Sequence, residues 1–235
     1  MKESKHHEVV VIGAGVCGIY QLYRLLELGI DATVLEAGSD LGGTWYWNRY
    51  PGARFDSESY SYSYSFSDEL LQEWDWSEHF ASQPETLRYL SYVADKFNLR
   101  EHMQFDCRVK SAVFDESRSV WKVSLKDGRS LTSNILLTAI GMLSTPTLPN
   151  IEGVSAFQGE SFHTYHWPKE PVELQGKRVG VIGTGATGVQ VISDIADKVG
   201  SLTVFQRRPN WCAPLKNGPI DAATMAEIKS SYDEI

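Results

Sequence analysis

Two stretches of the chain repeat the same order of apolar and polar positions. Each begins with a short run rich in β-branched residues, Glu8 to Ile12 and Lys177 to Ile182. Such runs are typical of parallel strands buried on both faces. Glycines, a helical apolar spacing and a second apolar run follow each time. The pattern predicts strand, helix and strand twice: 8–12, a helix to about 28 and 32–35, then 177–182, about 189–199 and 203–205.

The middle of the chain predicts one helix and then several short strands. Ser82 or Gln83 lies near the cap of that helix, and Pro84 falls in its first turn. Its apolar residues recur at helical spacing: Leu87, Leu90, Val93, Ala94 and Phe97. Strands are expected at 103–109, 111–115, 119–126 and from about 129, with Asp127-Gly128 as a hairpin turn, and another buried strand at 135–141. A β-meander at about 103–133 is therefore expected within the first unit.

Two further stretches have their own patterns. Aromatic residues and serines alternate strictly from Tyr60 to Phe66, which predicts a strand with its rings on one face. Residues 42–56 are rich in Gly, Pro and aromatics and predict a loop. Arg54 and Asp56 share a face if that loop is extended. The alternative is a surface loop with an ion pair.

The glycines after the first strand have the spacing of a dinucleotide-binding turn. Gly13 permits a tight turn, Gly15 lets the backbone approach a pyrophosphate, and Gly18 allows close helix–strand packing. The following helix offers free N–H groups to phosphates. Gly183, Gly185 and Gly188 repeat these roles after the later strand. The sequence thus predicts an α/β fold with two Rossmann-like, doubly wound, mainly parallel sheets, whereas a turn without a ligand is disfavoured by this context.

The residue that closes each second strand differs between the two halves. Glu36 follows Gly18 by 18 residues, and a carboxylate there accepts hydrogen bonds from a ribose diol and repels a 2′-phosphate. Arg207 follows Gly188 by 19 residues, and a guanidinium pairs bidentately with a 2′-phosphate. The first site is therefore predicted to hold FAD or NAD, and the second NADPH. The alternative for Arg207 is a solvated basic residue after a strand.

Two motifs complete the sequence pattern. Residues 42–56 match Gly-Gly-x-Trp-x4-Tyr-Pro-Gly-x3-Asp, and residues 157–168 match Phe-x-Gly-x3-His-x3-Trp-Pro/Asp at every defined position, Phe157, Gly159, His163, Trp167 and Pro168. Both resemble signatures of the Baeyer–Villiger monooxygenases, class B flavoprotein monooxygenases that insert one oxygen atom beside a ketone carbonyl. The resemblance covers essentially the whole chain.

The resemblance implies FAD, NADPH and O2 as cofactors and co-substrate. NADPH reduces FAD, O2 adds to the reduced flavin, and the resulting flavin peroxide converts a ketone into an ester or lactone. The FAD residues implied are Gly13, Gly15, Val16, Gly18, Glu36, Gly43, Thr44, Trp45, Asp56, Tyr62 and Val109. The NADP residues implied are Arg54, Thr184, Gly185, Ala186, Thr187, Gly188, Arg207 and Arg208.

The resemblance also suggests roles in catalysis for two residues. Asp56 orients a catalytic arginine that lies outside this chain. His163 belongs to a fingerprint thought to couple cofactor binding to domain motion, so a conformational role is favoured over acid–base chemistry. The alternative for His163 is a hinge histidine that hydrogen-bonds the backbone.

The chain is expected to be an N-terminal portion of a longer family member. Domains are predicted at 1–145 (FAD-binding), 146–172 (linker with the fingerprint) and 173–235 (start of the NADP-binding domain). That last part shows only two strands, where a doubly wound domain needs five or six. Residues 221–235 predict a helix with Met225, Ile228, Tyr232 and Ile235 on one face.

Composition narrows the class of protein further. The net charge of −8 has no basic face to suggest nucleic acid, and no apolar run approaches the roughly 20 residues of a membrane helix. The start of the chain lacks a signal peptide, and Cys17, Cys107 and Cys212 form no metal or redox motif. A cytoplasmic enzyme with a small-molecule ketone substrate, no metal and no membrane or nucleic-acid partner is expected.

Three rival functions remain open. A flavin monooxygenase acting on nitrogen or sulfur usually lacks the Trp167-Pro168 ending. A pyridine nucleotide–disulfide reductase needs a cysteine pair after the first strand–helix unit, and none is present. The third rival is a truncated module that binds FAD without turnover.

Overall fold

The computed structural model describes residues 5–234, which divide into two compact units. Within that range, the first unit combines residues up to 47 with 87–147. The second combines 48–86 with residues from 148 onward. The segment 48–86, which the sequence analysis places in the FAD-binding domain, therefore groups with the second unit.

The described residues contain eight strands, which form two sheets. They are β1 (Lys5–Ile12), β2 (Ala32–Leu35), β3 (Met103–Gln104), β4 (Val109–Asp115), β5 (Val120–Leu125), β6 (Ser130–Thr138), β7 (Arg178–Ile182) and β8 (Ser201–Phe205). The first unit contains a six-stranded sheet in the order β3-β2-β1-β6-β5-β4, and the second a parallel pair of β7 and β8. In the larger sheet β3, β2, β1 and β6 run parallel, while β5 and β4 add to it antiparallel. The predicted α/β fold with mainly parallel sheets is confirmed.

Six α-helices accompany the strands in the described part of the chain. They are α1 (Val16–Glu27), α2 (Thr44–Trp47), α3 (Asp68–Glu73), α4 (Gln83–Lys96), α5 (Ala186–Ile195) and α6 (Ala222–Ser230). The predicted helix at Gln83 is confirmed, with Leu90, Val93 and Ala94 fully buried. Within residues 5–234, none of the helices has the length and apolar character to cross a membrane.

The core of the first unit lies beside the larger sheet. Its β-branched strand residues are buried as the apolar runs predict: Val9, Val10, Val11 and Val34 are at most 1% exposed. One cluster joins Val10 and Leu35 to Val123 and Leu125 of β5 and to Leu131 of β6. The meander is thus packed into the same core as the parallel strands.

The structure corrects the strand boundaries in the meander. The expected strand 103–109 contains only β3, because Asp106 takes a left-handed φ of 54° and interrupts the run. The expected strands from 129 and at 135–141 form one strand, β6. Its second half is not fully buried, and Ile135 is 50% exposed, because β5 pairs with β6 only at residues 130–133.

The predicted strand at Tyr60–Phe66 is wrong. Residues 59–62 form a 3₁₀ turn, in which Ser61 Oγ donates to the carbonyl oxygen of Glu58 at 2.6 Å and Ser63 N donates to that of Tyr60. Serine hydroxyls compete with strand pairing for backbone groups, so strict alternation did not produce a strand here.

Other boundaries also differ from the sequence prediction. The loop expected at 42–56 contains α2, because the carbonyls of Gly42 and Gly43 accept the first N–H groups of a helical turn. α5 begins three residues earlier than expected, directly after the extended Gly185, and ends at Ile195. α6 is capped by Asp221 and buries Met225, whereas Ile235 lies outside the described residues.

The buried side chain of His7 on β1 makes the stability of the first unit depend on pH. Its side chain is 5% exposed, Nδ1 lies 3.2 Å from Asp31 Oδ2, and Nε2 is buried without a partner in the described chain. Burial lowers the pKa of His7 below its ordinary value of about 6.5; Asp31 opposes this, and Lys5 and His6 add to it. The unfolded chain then binds the proton more readily than the folded chain.

We expect the free energy of unfolding to fall as the pH drops through about 6.5, and His7→Gln to remove part of that fall. Denaturant unfolding between pH 7.5 and 5 measures both slopes. His166→Gln, at an exposed position in the second unit, is the matched control. Equal slopes for the unsubstituted chain and His7→Gln would contradict the assignment.

Candidate functional site

The first glycine turn brings backbone atoms closer than any side chain allows. Gly13 has a φ of +104°, and a Cβ there would lie 2.5 Å from the carbonyl oxygen of Ala139. A Cβ at Gly18 would lie 1.9 Å from the carbonyl oxygen of Gly13. α1 therefore starts directly against the end of β1, with its first N–H groups at the turn.

Glu36 is anchored at this turn, just after β2. The residue is 4% exposed, and its carboxylate accepts hydrogen bonds from Ala14 N at 2.8 Å and Gly38 N at 2.7 Å. One bond falls on each carboxylate oxygen, which leaves each oxygen a lone pair for another donor. Glu36 therefore has a fixed position and remaining capacity to accept from ribose hydroxyls.

A second glycine pair lies against the first turn. Gly42 N donates to the carbonyl oxygen of Ala14 at 2.9 Å, and a Cβ on Gly43 would lie 2.7 Å from the Cα of Gly15. The two backbones therefore touch without intervening side chains. This cradle brings together the predicted residues Gly15, Gly43 and, through Ala14, Glu36.

The other predicted residues of the first unit lie in different settings. Val16 opens α1 and is half-buried, and Thr44 opens α2 and is exposed. Trp45 is 6% exposed and belongs to the core. Val109 begins β4 and packs against the apolar cluster of the sheet.

The second glycine turn repeats the constraint of the first. Gly183 has a φ of +102°, and a Cβ at Gly188 would lie 2.4 Å from its carbonyl oxygen. A Cβ at Gly185 would meet no described heavy atom within 4 Å. Ala186 and Thr187 form the first turn of α5, so the turn and the helix N-terminus coincide as predicted.

Arg207 and Arg208 lie in an exposed segment just after β8. Thr184 Oγ1 donates to the carbonyl oxygen of Arg208 at 3.4 Å, and Asn210 donates to the carbonyl of Thr184. These contacts hold the segment beside the second glycine turn. Within residues 5–234 the Arg207 side chain forms no ion pair, so its charge is available to a ligand.

A segment of residues 50–54 is fastened to α5 in the second unit. Tyr50 donates its hydroxyl to Gln190 Oε1 at 2.9 Å, and Gln190 Nε2 donates to the carbonyl oxygen of Arg54 at 2.9 Å. Burial raises the pKa of Tyr50, which keeps its hydroxyl protonated as a donor. We call residues 50–54 the strap.

The strap depends on Gly52. Its φ is +77°, and a Cβ there would lie 2.5 Å from the carbonyl oxygen of Gln190 and 2.9 Å from the Cβ of Asp194. The strap therefore lies directly on the surface of α5. This contact explains why Tyr-Pro-Gly occurs within the first motif.

Arg54 pairs with a residue that the sequence analysis did not single out. Its Nη1 donates to Glu78 Oε2 at 3.0 Å and to the carbonyl oxygen of Phe80 at 3.2 Å. The alternative interpretation of residues 42–56 was a surface loop with an ion pair. Arg54 does form an ion pair, but with Glu78, and Asp56 is exposed. Tyr62 lies in the same unit and stacks on Phe55, with ring centroids 4.5 Å apart.

His163 contacts the backbone within the predicted linker, residues 146–172. Its Nδ1 accepts a hydrogen bond from Tyr165 N at 3.1 Å and caps the 3₁₀ turn of residues 164–166. Trp167 packs near Phe162, with ring centroids 5.5 Å apart. These contacts match those of a histidine that orders its own segment, and a role in domain motion stays a prediction.

Comparison with known proteins identifies the family. The profile of the family "Flavin-binding monooxygenase-like" matches residues 6–218. The chain belongs to this family. Its fold is that of a solved relative, OTEMO in complex with FAD and NADP, with a TM-score of 0.93 at 47% identity over 99% of this chain and 45% of that one.

The names of two similar curated proteins describe two different reactions, ester formation from a ketone and oxidation of a nitrogen atom. Acetone monooxygenase (methyl acetate-forming) from Gordonia sp. (strain TY-5) is 46% identical over 97% of this chain, and phenazine N-monooxygenase PhzNO1 from Lysobacter antibioticus is 43% identical over 99%. The chain spans 43% of the length of each. The expectation that members of this family are considerably longer is confirmed.

The residues that sequence reasoning missed act through the backbone or across long separations. Gln190 lies in α5 between the apolar residues Val189 and Val191. A polar side chain in this apolar run was the sequence signal for a specific contact. Glu78 and Asn217 lie 139 positions apart, and no local spacing connects them.

Gly52→Ala tests the strap. The substitution adds a side chain at a left-handed φ and against the backbone of α5, so we expect a loss of about 2–5 kcal/mol in the free energy of unfolding. Denaturant unfolding measures it. Gly153→Ala is the matched control, since Gly153 has a φ of +78° and nothing within 4 Å of its Cβ.

The control should lose only about 1–2 kcal/mol, the cost of the left-handed conformation. Equal losses at the two positions would show that the strap does not press on α5.

Proposed function

We propose that the protein carrying this chain is a monooxygenase that uses FAD and NADPH to convert ketones into esters or lactones. The observation that carries the proposal is the contrast between a buried, anchored Glu36 at the first glycine turn and an exposed Arg207, without an ion pair among residues 5–234, beside the second. The family and the FAD- and NADP-bound relative support it.

The residues of the first cradle fit FAD. Gly13, Gly15 and Gly43 leave backbone without Cβ atoms where a pyrophosphate needs close approach, and the N-terminus of α1 supplies N–H donors. Glu36 would accept from the ribose of the adenosine. When bound, the flavin supplies the redox chemistry and oxygen activation that no amino acid side chain provides.

The residues of the second unit fit NADPH. Gly183, Gly185 and the first turn of α5 form the phosphate cradle, and Arg207 would pair with the 2′-phosphate. Arg54, at the end of the strap, and Asp56, two residues further on, would contact the nicotinamide part of the cofactor. The protein must bind the cofactors, orient them and exclude water from the site. The residues named here would bind and orient the nucleotide.

The proposed substrate class rests on the motif at residues 157–168 in the linker. Trp167-Pro168 favours ketones over nitrogen or sulfur, and the methyl acetate-forming relative favours the same outcome. The phenazine N-monooxygenase keeps nitrogen oxidation as the second candidate. Parallel assays with a cyclic ketone, a thioether and an aromatic amine separate the two, and ester or lactone formation decides for the first.

The proposal is tested by absorption spectroscopy of the purified protein. We expect the yellow spectrum of bound flavin, which bleaches when NADPH is added without oxygen and returns when air is admitted. A yellow protein that NADPH leaves unchanged would indicate a FAD-binding module without turnover. A colourless protein that does not take up added FAD would contradict the proposal.

Arg207→Ala tests the cofactor assignment. Loss of a charge-assisted contact to the 2′-phosphate costs about 1.5–3 kcal/mol, so we expect NADPH to bind roughly 10–100-fold more weakly and NADH to be almost unaffected. Titration with each nucleotide measures this. Arg178→Ala, at an exposed position on β7, removes the same charge as a control. Equal weakening of NADPH and NADH would remove the argument from Arg207.

A further inference from the structure

A network of hydrogen bonds in the second unit surrounds the acid that pairs with Arg54. Glu78 Oε2 accepts from Arg54 Nη1 at 3.0 Å and also from Asn217 Nδ2. Asn217 in turn accepts from Phe80 N through Oδ1 at 2.9 Å and donates to the carbonyl oxygen of Phe80 at 3.3 Å. The carboxylate is thus held between a guanidinium and an amide.

The backbone keeps the side chains of Glu78 and Asn217 in register. His79 N donates to the carbonyl oxygen of Gly218 at 3.0 Å, and Ile220 N to that of Ser77 at 3.0 Å. Glu78 and Pro219 form an antiparallel bridge between these two bonds. Residues 77–80 and 217–220 therefore form a short two-stranded ribbon that carries Glu78 and Asn217.

Arg54 is held at two of its ends. Its carbonyl oxygen accepts from Gln190 on α5, and its Nη1 is engaged by Glu78 and by the carbonyl of Phe80. Its Nε and Nη2 make no hydrogen bond within residues 5–234, and the side chain is 24% exposed. One edge of the guanidinium is thus fixed, and the adjoining edge keeps its donors for an oxygen-bearing ligand.

We propose that Glu78 and Asn217 are positioning residues for Arg54, which they hold with its Nε–Nη2 edge ready for the nicotinamide nucleotide. The inference rests on the proposed function and assigns the orientation of Arg54 to a pair outside both glycine turns. A long arginine side chain loses conformational freedom on binding, and fixing it beforehand reduces that cost.

A simple charge effect predicts the opposite result. If Glu78 only neutralised Arg54, removing the carboxylate would make the region more positive and tighten the binding of an anionic nucleotide. If Glu78 positions Arg54, removing it weakens binding. Asn217→Ala changes no charge, so it weakens binding only if position matters.

The experiment is a titration of the flavin-loaded full chain with NADP⁺, which binds without turnover. We expect Glu78→Ala and Asn217→Ala each to raise the Kd about threefold to fivefold, the range of a partly exposed ion pair. In an Arg54→Ala background, both substitutions should have almost no further effect. Glu78→Gln, which keeps the shape and an acceptor oxygen, should fall between the unsubstituted chain and Glu78→Ala.

Controls separate positioning from loss of fold. Glu227→Ala removes an exposed carboxylate on α6 and should leave the Kd unchanged. Each variant's melting temperature is measured, and Glu78→Gln carries the test if Asn217→Ala does not fold. Tighter binding in Glu78→Ala, or an equal effect with and without Arg54, overturns the inference. Both outcomes leave the proposed function intact, whereas an unsubstituted protein that binds no NADP⁺ contradicts the function itself.

Discussion

The structure depends on backbone approaching backbone at distances that exclude a Cβ. At the first turn the start of α1 lies on the end of β1, and Gly43 lies on Gly15. At the second turn Gly188 lies on Gly183 in the same way, and at the strap Gly52 lies on α5. A side chain at any of these contacts would force the elements apart, so the two glycine turns are part of the packing of the fold itself.

Electrostatics distinguishes two cradles that sterics makes alike. Glu36 is buried, and two backbone N–H groups donate to its carboxylate, so its negative charge has a fixed position. Arg207 is exposed and follows a strand end, where a charge can meet a ligand without the cost of prior burial. This contrast of nearly equal backbone geometry with opposite charge is the basis of the proposal that the two turns take different dinucleotides.

Much of the fold follows from the sequence because it is encoded locally. Apolar β-branched runs, glycine spacing and helical periodicity predict β1, α1, β2, α4, β7 and β8, and both glycine turns follow from them, although β7 and β8 are largely exposed where β1 and β2 are buried. Local reasoning failed at Tyr60–Phe66, where serine hydroxyls satisfied backbone groups that a strand would have paired. It also split β6 in two, because β5 stops pairing after Ser133 while β1 continues to pair to Thr138, and this change leaves no mark in periodicity. Glu78 and Asn217 meet only through tertiary structure, so no spacing could reveal them.

The strap has a mechanical consequence. The side-chain amide of Gln190 accepts from Tyr50 with its oxygen and donates to the carbonyl of Arg54 with its nitrogen. A single rotation of that amide would break both bonds at once, so the two contacts form or fail together. One side chain of α5 therefore couples residues 50–54 to the helix at both ends, and its loss would free the Tyr50 hydroxyl and the Arg54 carbonyl together, while the guanidinium keeps its own contacts with Glu78 and the carbonyl of Phe80.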